Sequence, residues 1–114
     1  MFDFENLKVY QRARDLNSRV VHLMRKEDFD RVSSYQLRRA SLSVMLNIAE
    51  GSGRFSSKDK RRFYIMSRGS LFECVAILDF LCMNKMINEE TKGKFYSDFE
   101  TLSKMLLATI RSLE

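Results

Sequence analysis

Apolar residues recur along this chain at intervals of three and four, the repeat that lines one face of an α-helix. Leu7, Tyr10, Ala13, Leu16, Val20 and Leu23 predict a first helix over about 6–26. A polar connection, Glu27 to Ser33, leads to a second helix over about 34–50 with the stripe Leu37, Ala40, Val44 and Ile48. Ser33 or Ser34 is its expected N-cap, since a serine hydroxyl accepts from a free amide of the first turn. Gly51-Ser52-Gly53 is expected to stop it, because glycine takes the left-handed conformation that follows many helix ends. A third helix is predicted over about 57–86. Asn88 then caps a fourth, over about 88–112, with Glu89 and Glu90 in its first turn and Phe95, Phe99, Leu102, Leu106 and Ile110 as its stripe. Short connections make successive helices antiparallel neighbours, so the expected fold is all-α, an up-down-up-down antiparallel four-helix bundle forming a single domain over 1–114.

The third helix breaks the pattern. Eleven of the thirteen residues from Leu71 to Met83 are apolar, and a helix apolar all round must be covered on more than one side. At about 100° per residue, Phe63, Met66, Ser70, Cys74, Ile77 and Leu81 share the expected core face. Phe72, Val75, Ala76 and Phe80 fall largely opposite, and an apolar patch of that size usually marks an interface. A homo-oligomer joined through those four residues is expected.

Composition narrows the class. Proline is absent and glycine only 4 of 114 residues, which argues against a sheet-rich fold with tight turns. The longest apolar stretch is broken by Glu73 and Asp79 and is too short to span a bilayer. Without a secretory signal at its start, the chain is expected to be cytoplasmic, with no membrane partner. Cys74 and Cys82, eight residues apart on one helix, stand too far apart for a disulfide and are expected to be reduced core thiols.

Charge is uneven. The chain carries 20 Lys+Arg against 15 Asp+Glu. Between 51 and 68 stand Arg54, Lys58, Lys60, Arg61, Arg62 and Arg68 against Asp59 alone, whereas 69–114 holds five basic and seven acidic residues. The six cations are the candidate nucleic-acid-binding residues: guanidinium forks and ammonium charges suit phosphates, and Phe55 and Tyr64 are candidates for stacking. The alternative is a solvated helix face paired with neighbouring acids. With no sheet of stacking aromatics and no helix-turn-helix, contacts would be to backbone and shape, without base specificity.

Catalytic constellations are incomplete. His22 is the only histidine, so histidine triads and histidine-rich metal sites lack parts, and two cysteines fall short of a structural zinc set. Gly51-Ser52-Gly53-Arg54 follows a helix and lacks the Gly-Lys-Ser/Thr ending of a phosphate loop. No enzyme activity, metal or cofactor is expected. Arg39, Ser43, Asn47 and Glu50 follow one another at four, four and three residues as a polar stripe beside the apolar one on the second helix, with Arg38 adjoining it. With Ser70 and Glu73 on the third they are read as a structural polar network that fixes register. Glu50 and Glu73 as an acid and base pair is the catalytic alternative, but no nucleophile accompanies them.

Several of these residues carry a family resemblance. Phe4-Glu5-Asn6-Leu7-Lys8-Val9-Tyr10-Gln11, Gln36-Leu37-Arg38-Arg39-Ala40, Ser43-Val44, Asn47-Ile48-Ala49-Glu50-Gly51, Gly53-Arg54 and Gly69-Ser70-Leu71 with Glu73 together resemble the four-helix-bundle proteins encoded in intervening sequences of bacterial large-subunit ribosomal RNA genes. Tyr10 stands where tryptophan is usual, Met45 where proline is usual and Ser67 where alanine is common. The resemblance implies a bundle assembling as a homopentamer. It also implies distant kinship with accessory proteins of diversity-generating retroelements, which bind reverse transcriptase and nucleic acid, so RNA, DNA or a polymerase are expected partners. Two functions follow: an oligomeric nucleic-acid-binding module, or a homo-oligomeric scaffold for protein contacts.

Overall fold

The structure, a computed structural model, describes residues 1–26 and 28–114. A short 3₁₀ turn, Asp3–Asn6, precedes four helices: α1 (Lys8–Lys26), α2 (Arg31–Ser52), α3 (Ser57–Met83) and α4 (Glu89–Ser112). They form an antiparallel bundle in which α1 packs on α2, α2 on α3, α3 on α4 and α4 on α1. The pairs α1 and α3, and α2 and α4, therefore occupy the diagonals. At about 1.5 Å per residue, α3 spans roughly 40 Å, close to the 44 Å long dimension of the molecule.

The predicted stripes on α1, α2 and α4 face the core. Ala13, Leu16, Val20, Leu37, Ala40, Val44, Ile48, Phe99, Leu102 and Leu106 are all buried, with Val9 added at the start of α1. On α3 the buried face is rotated from expectation. Phe63, Cys74 and Leu81 are buried as read, but they are joined by Tyr64, Ser67, Leu71 and Leu78, while Met66 is exposed and Ser70 and Ile77 are only half-buried. The reason is that α2 lies close against α3 along small residues. Ser67 Oγ donates to the Val44 carbonyl at 2.7 Å, and the Ser43 and Ser70 hydroxyls meet at 2.8 Å. A β-carbon built on Gly51 would stand 2.9 Å from that of Phe63.

Helix ends depart from the sequence reading where a competing cap wins. The α2 N-cap is Asp30, whose carboxylate accepts from the Ser33 amide at 2.8 Å. Helix therefore begins at Arg31, and Ser33 and Ser34 lie inside it. Glu27, the expected start of the connection, lies outside the described residues. Gly51 and Ser52 continue the helix, and Gly53 closes it with φ −86, an ordinary right-handed conformation. Met45, where a proline would interrupt the backbone ladder, lies within an unbroken α2. The left-handed position falls instead at Lys85, φ 59, after α3. There the Met86 amide reaches the Leu81 carbonyl and the Lys85 amide that of Cys82, a Schellman closure that ends α3 at Met83. Asn88 caps α4 as read, accepting from the Thr91 amide at 2.8 Å.

The first turn of chain is anchored by its own motif residues. Phe4 packs on the Tyr10 ring, centroids 4.6 Å apart, and Gln11 donates to the Glu5 carbonyl at 2.9 Å. Both cysteines are free and buried, and burial, assisted by the Glu73 charge, pushes the Cys74 thiol up to about 12. No helix among the described residues is long and apolar enough to cross a membrane.

Candidate nucleic-acid interface

The basic segment begins at the turn between α2 and α3. Ser56 caps α3 by accepting from the Asp59 amide at 3.0 Å, which aligns Lys58, Arg61 and Arg62 on neighbouring positions of its first turns. Lys58 and Arg62 are exposed and Arg61 is half-buried. Lys58 and Arg61 make no ion pair among the described residues; Arg62 approaches Asp59 at 3.9 Å and lies over the Phe63 ring at 4.9 Å, yet remains exposed. Phe55, just ahead of them, is fully exposed. Tyr64 is buried and takes no part as a stacking surface.

The other three cations of the sequence-predicted set are engaged within the bundle. Lys60 Nζ donates to the Ser52 carbonyl at 2.9 Å. Arg54 pairs with Glu50 at 3.3 Å, one turn away, and lays its guanidinium over the Phe63 ring at 4.5 Å. Arg68 lies over Phe72 at 4.8 Å and donates to the Ser103 carbonyl of α4 at 3.3 Å. Cation and ring attract at such distances, so these side chains hold structure together and present only part of their charge to solvent.

Topology adds what linear sequence could not. Antiparallel order brings the start of α1 and the end of α4 to the same end of the bundle as the α2–α3 turn, placing Lys8, Arg12 and Arg111 there as well. Asp3, Glu5 and Glu114 offset part of that charge. The sequence signal for these additional cations was present, but only chain direction shows that they share an end.

The expected polar network is smaller than read. Asn47 donates to the Ser43 carbonyl and hydroxyl at 2.9 and 3.0 Å, and Ser43 meets Ser70 across the α2–α3 contact. Arg38, Arg39 and Glu73 do not join it. They are exposed, without a side-chain hydrogen bond or ion pair among the described residues. Glu50 is exposed too and faces Arg54. On the outer face of α3, Phe72, Ala76 and Phe80 are exposed as expected, whereas Val75 is half-buried and packs against the core. His22 is exposed on α1, and among the described residues no cluster of His, Cys, Asp or Glu has metal-binding geometry.

These features define a small all-α bundle with a basic end and an uncovered apolar helix face. The chain matches the model of the 23S rRNA-intervening sequence protein family over residues 5–108 and belongs to that family. No curated protein matches it. Among solved structures it is similar to a protein of unknown function from the S23 ribosomal protein family of Bacteroides thetaiotaomicron VPI-5482. The TM-score is 0.86 at 23% identity, covering 90% of this chain and 97% of the other. At that identity the likeness establishes the fold.

Proposed function

We propose that the protein is a non-enzymatic, oligomeric nucleic-acid-associated module that contacts RNA or DNA backbone through its basic end. The observation that carries this reading is the Lys58, Arg61 and Arg62 group. Three cations occupy adjacent positions at the start of α3, none with a close ion pair among the described residues, beside a fully exposed Phe55. Phosphate contacts of this kind give affinity without base discrimination.

Oligomerisation supports the reading by repetition. Phe72, Ala76 and Phe80 leave an apolar face on α3 whose cover is most simply another copy of the chain, in a pentamer on the family resemblance. Several basic ends would then share one assembly and sum their fields. The same apolar face favours a second reading, an oligomeric scaffold for protein contacts with no direct nucleic-acid role.

The test is fluorescence anisotropy with a labelled structured RNA and a random DNA duplex, comparing wild type with Lys58→Gln, Arg61→Gln, Arg62→Gln combined. The proposal expects binding of both nucleic acids and a similar loss for both in the triple variant. Absence of binding at low salt would favour the scaffold.

A further inference from the structure

Arg38 and Arg39, which the structure leaves outside the polar network, stand at the mouth of a groove between α1 and α2. The groove has a volume of about 600 Å³ and is walled by Val21, Phe29, Tyr35 and Leu42. Arg31, Arg38 and Arg39 rim it, and among the described residues no acidic side chain lines it. None of the three arginines makes a side-chain hydrogen bond or ion pair among the described residues. The nearest described acids in sequence are Asp28 and Asp30, and the Asp30 carboxylate is engaged as the α2 cap. α3 contributes nothing to this groove, so it is separate from Lys58, Arg61 and Arg62.

A second pattern coincides with it. Val32, Tyr35, Leu42 and Leu46 are all exposed on α2, at 72, 62, 42 and 50%. With Arg39 between them they follow one another at three, four, three and four residues, the spacing of a coiled-coil seam. Tyr35 and Leu42 belong both to the seam and to the groove wall. A seam of this spacing is complemented by another helix, and a rim of unpaired guanidiniums by carboxylates.

We propose that the α1–α2 groove is a docking site for an acidic amphipathic helix of another protein. The apolar side chains of that helix enter between Tyr35 and Leu42, and its flanking Asp or Glu residues meet Arg31, Arg38 and Arg39. Nucleic acid suits the site less well, because it would meet the three guanidiniums and the Tyr35 ring but leave the aliphatic seam of Val32, Leu42 and Leu46 uncovered. A second copy is the competing occupant, because Glu73 and Asp79 stand beside Phe72 and Phe80 on the apolar α3 face, and a change of native mass on groove mutation identifies it.

The probe is a fluorescein-labelled helical peptide of about 18 residues, long enough at 1.5 Å per residue to cover the seam, with leucine at heptad positions and glutamate flanking them. A control peptide replaces each glutamate by lysine. By anisotropy the acidic peptide binds wild type and the lysine peptide does not. Arg38→Glu with Arg39→Glu weakens binding by about tenfold or more, as reversed charge in an interface should. Leu42→Glu does likewise, while the Lys58, Arg61 and Arg62 triple variant binds the peptide as wild type does. Circular dichroism should show both groove variants folded, since the altered side chains are exposed. The proposal is overturned if the acidic peptide does not bind at millimolar concentration, or binds the Arg38, Arg39 variant undiminished. It is equally overturned if that variant instead loses RNA binding, or changes native mass, which would assign the groove to nucleic acid or to a second copy.

Discussion

Lys60 reaches back across the α2–α3 turn to Ser52, its ammonium donating to the backbone carbonyl at 2.9 Å. That carbonyl belongs to the last turn of α2, where helical acceptors lack partners within the helix. The most central cation of the basic run thus closes one helix while standing on the next. Lys60→Met keeps the aliphatic stem and removes the donor, and should lower stability by about 1 kcal/mol, the net worth of one such hydrogen bond. Nucleic-acid affinity should change far less than in the Lys58, Arg61 and Arg62 variant. Chemical denaturation and anisotropy on the same protein separate the two effects.

Gly51 and Gly93 make a contrasting pair. A methyl group at Gly51 meets the Phe63 β-carbon at 2.9 Å and the Lys60 carbonyl at 3.3 Å, and neither atom is the free end of a flexible side chain. Gly51→Ala gains helix propensity of up to about 1 kcal/mol but forces α2 and α3 apart, and overpacking costs about 1–3 kcal/mol. A net loss of stability is expected. At Gly93 nothing lies within 4 Å, so alanine there should stabilise by about 0.5–1 kcal/mol. Thermal melts of the two variants should move in opposite directions.

The acid limb of stability contains a local component at Asp30. The Ser33 backbone amide, followed by its side chain, holds this carboxyl below its ordinary value of 3.8. The folded protein therefore binds the proton less readily than the unfolded chain. The cap contributes fully above the unfolded value and is lost as pH falls through the folded one. Amide exchange at the start of α2 should accelerate selectively in that range. Asp30→Asn, which caps without a charge, should remove the pH dependence while leaving α2 intact near neutrality.

Stripe periodicity made α1, α2 and α4 legible, because Leu37, Ala40, Val44 and Ile48, or Phe95 to Ile110, each bury one face against neighbours on either side. α3 was legible in extent but not in rotation. Its buried face is set by the Ser67 to Val44 and Ser43 to Ser70 contacts, and these depend on how closely another helix approaches, which one helix's periodicity does not encode. Helix ends were ambiguous where Asp30, Ser33 and Ser34 competed for one cap. The left-handed Lys85 carried no signal, since glycine or asparagine usually marks that position. Of the basic run, composition located the cations but could not tell Lys60, Arg54 and Arg68, engaged within the bundle, from Lys58, Arg61 and Arg62.

Assembly has its own test on the outer face of α3. Phe80→Glu places a carboxylate in the proposed contact, where burial without a partner is unfavourable, while Phe80 is half exposed in the single chain, at 50%. Light scattering should report an oligomer for wild type and a smaller, folded species for the variant. Val75→Glu should also damage the fold, because Val75 packs against the core. Wild type at the 13.5 kDa mass of one chain would reject the assembly.

The salt dependence of nucleic-acid affinity tests the functional reading most directly. Each phosphate neutralised adds about 0.9 to the negative slope of log affinity against log salt on duplex, or about 0.7 on single strands. Anisotropy titrations of wild type across salt should therefore give a steep slope, similar for a structured RNA and for unrelated sequences. The Lys58, Arg61 and Arg62 glutamine variant should bind more weakly with a flatter slope and unchanged native mass. A wild-type affinity indifferent to salt, or a triple variant with the wild-type slope, would contradict backbone recognition through the basic end.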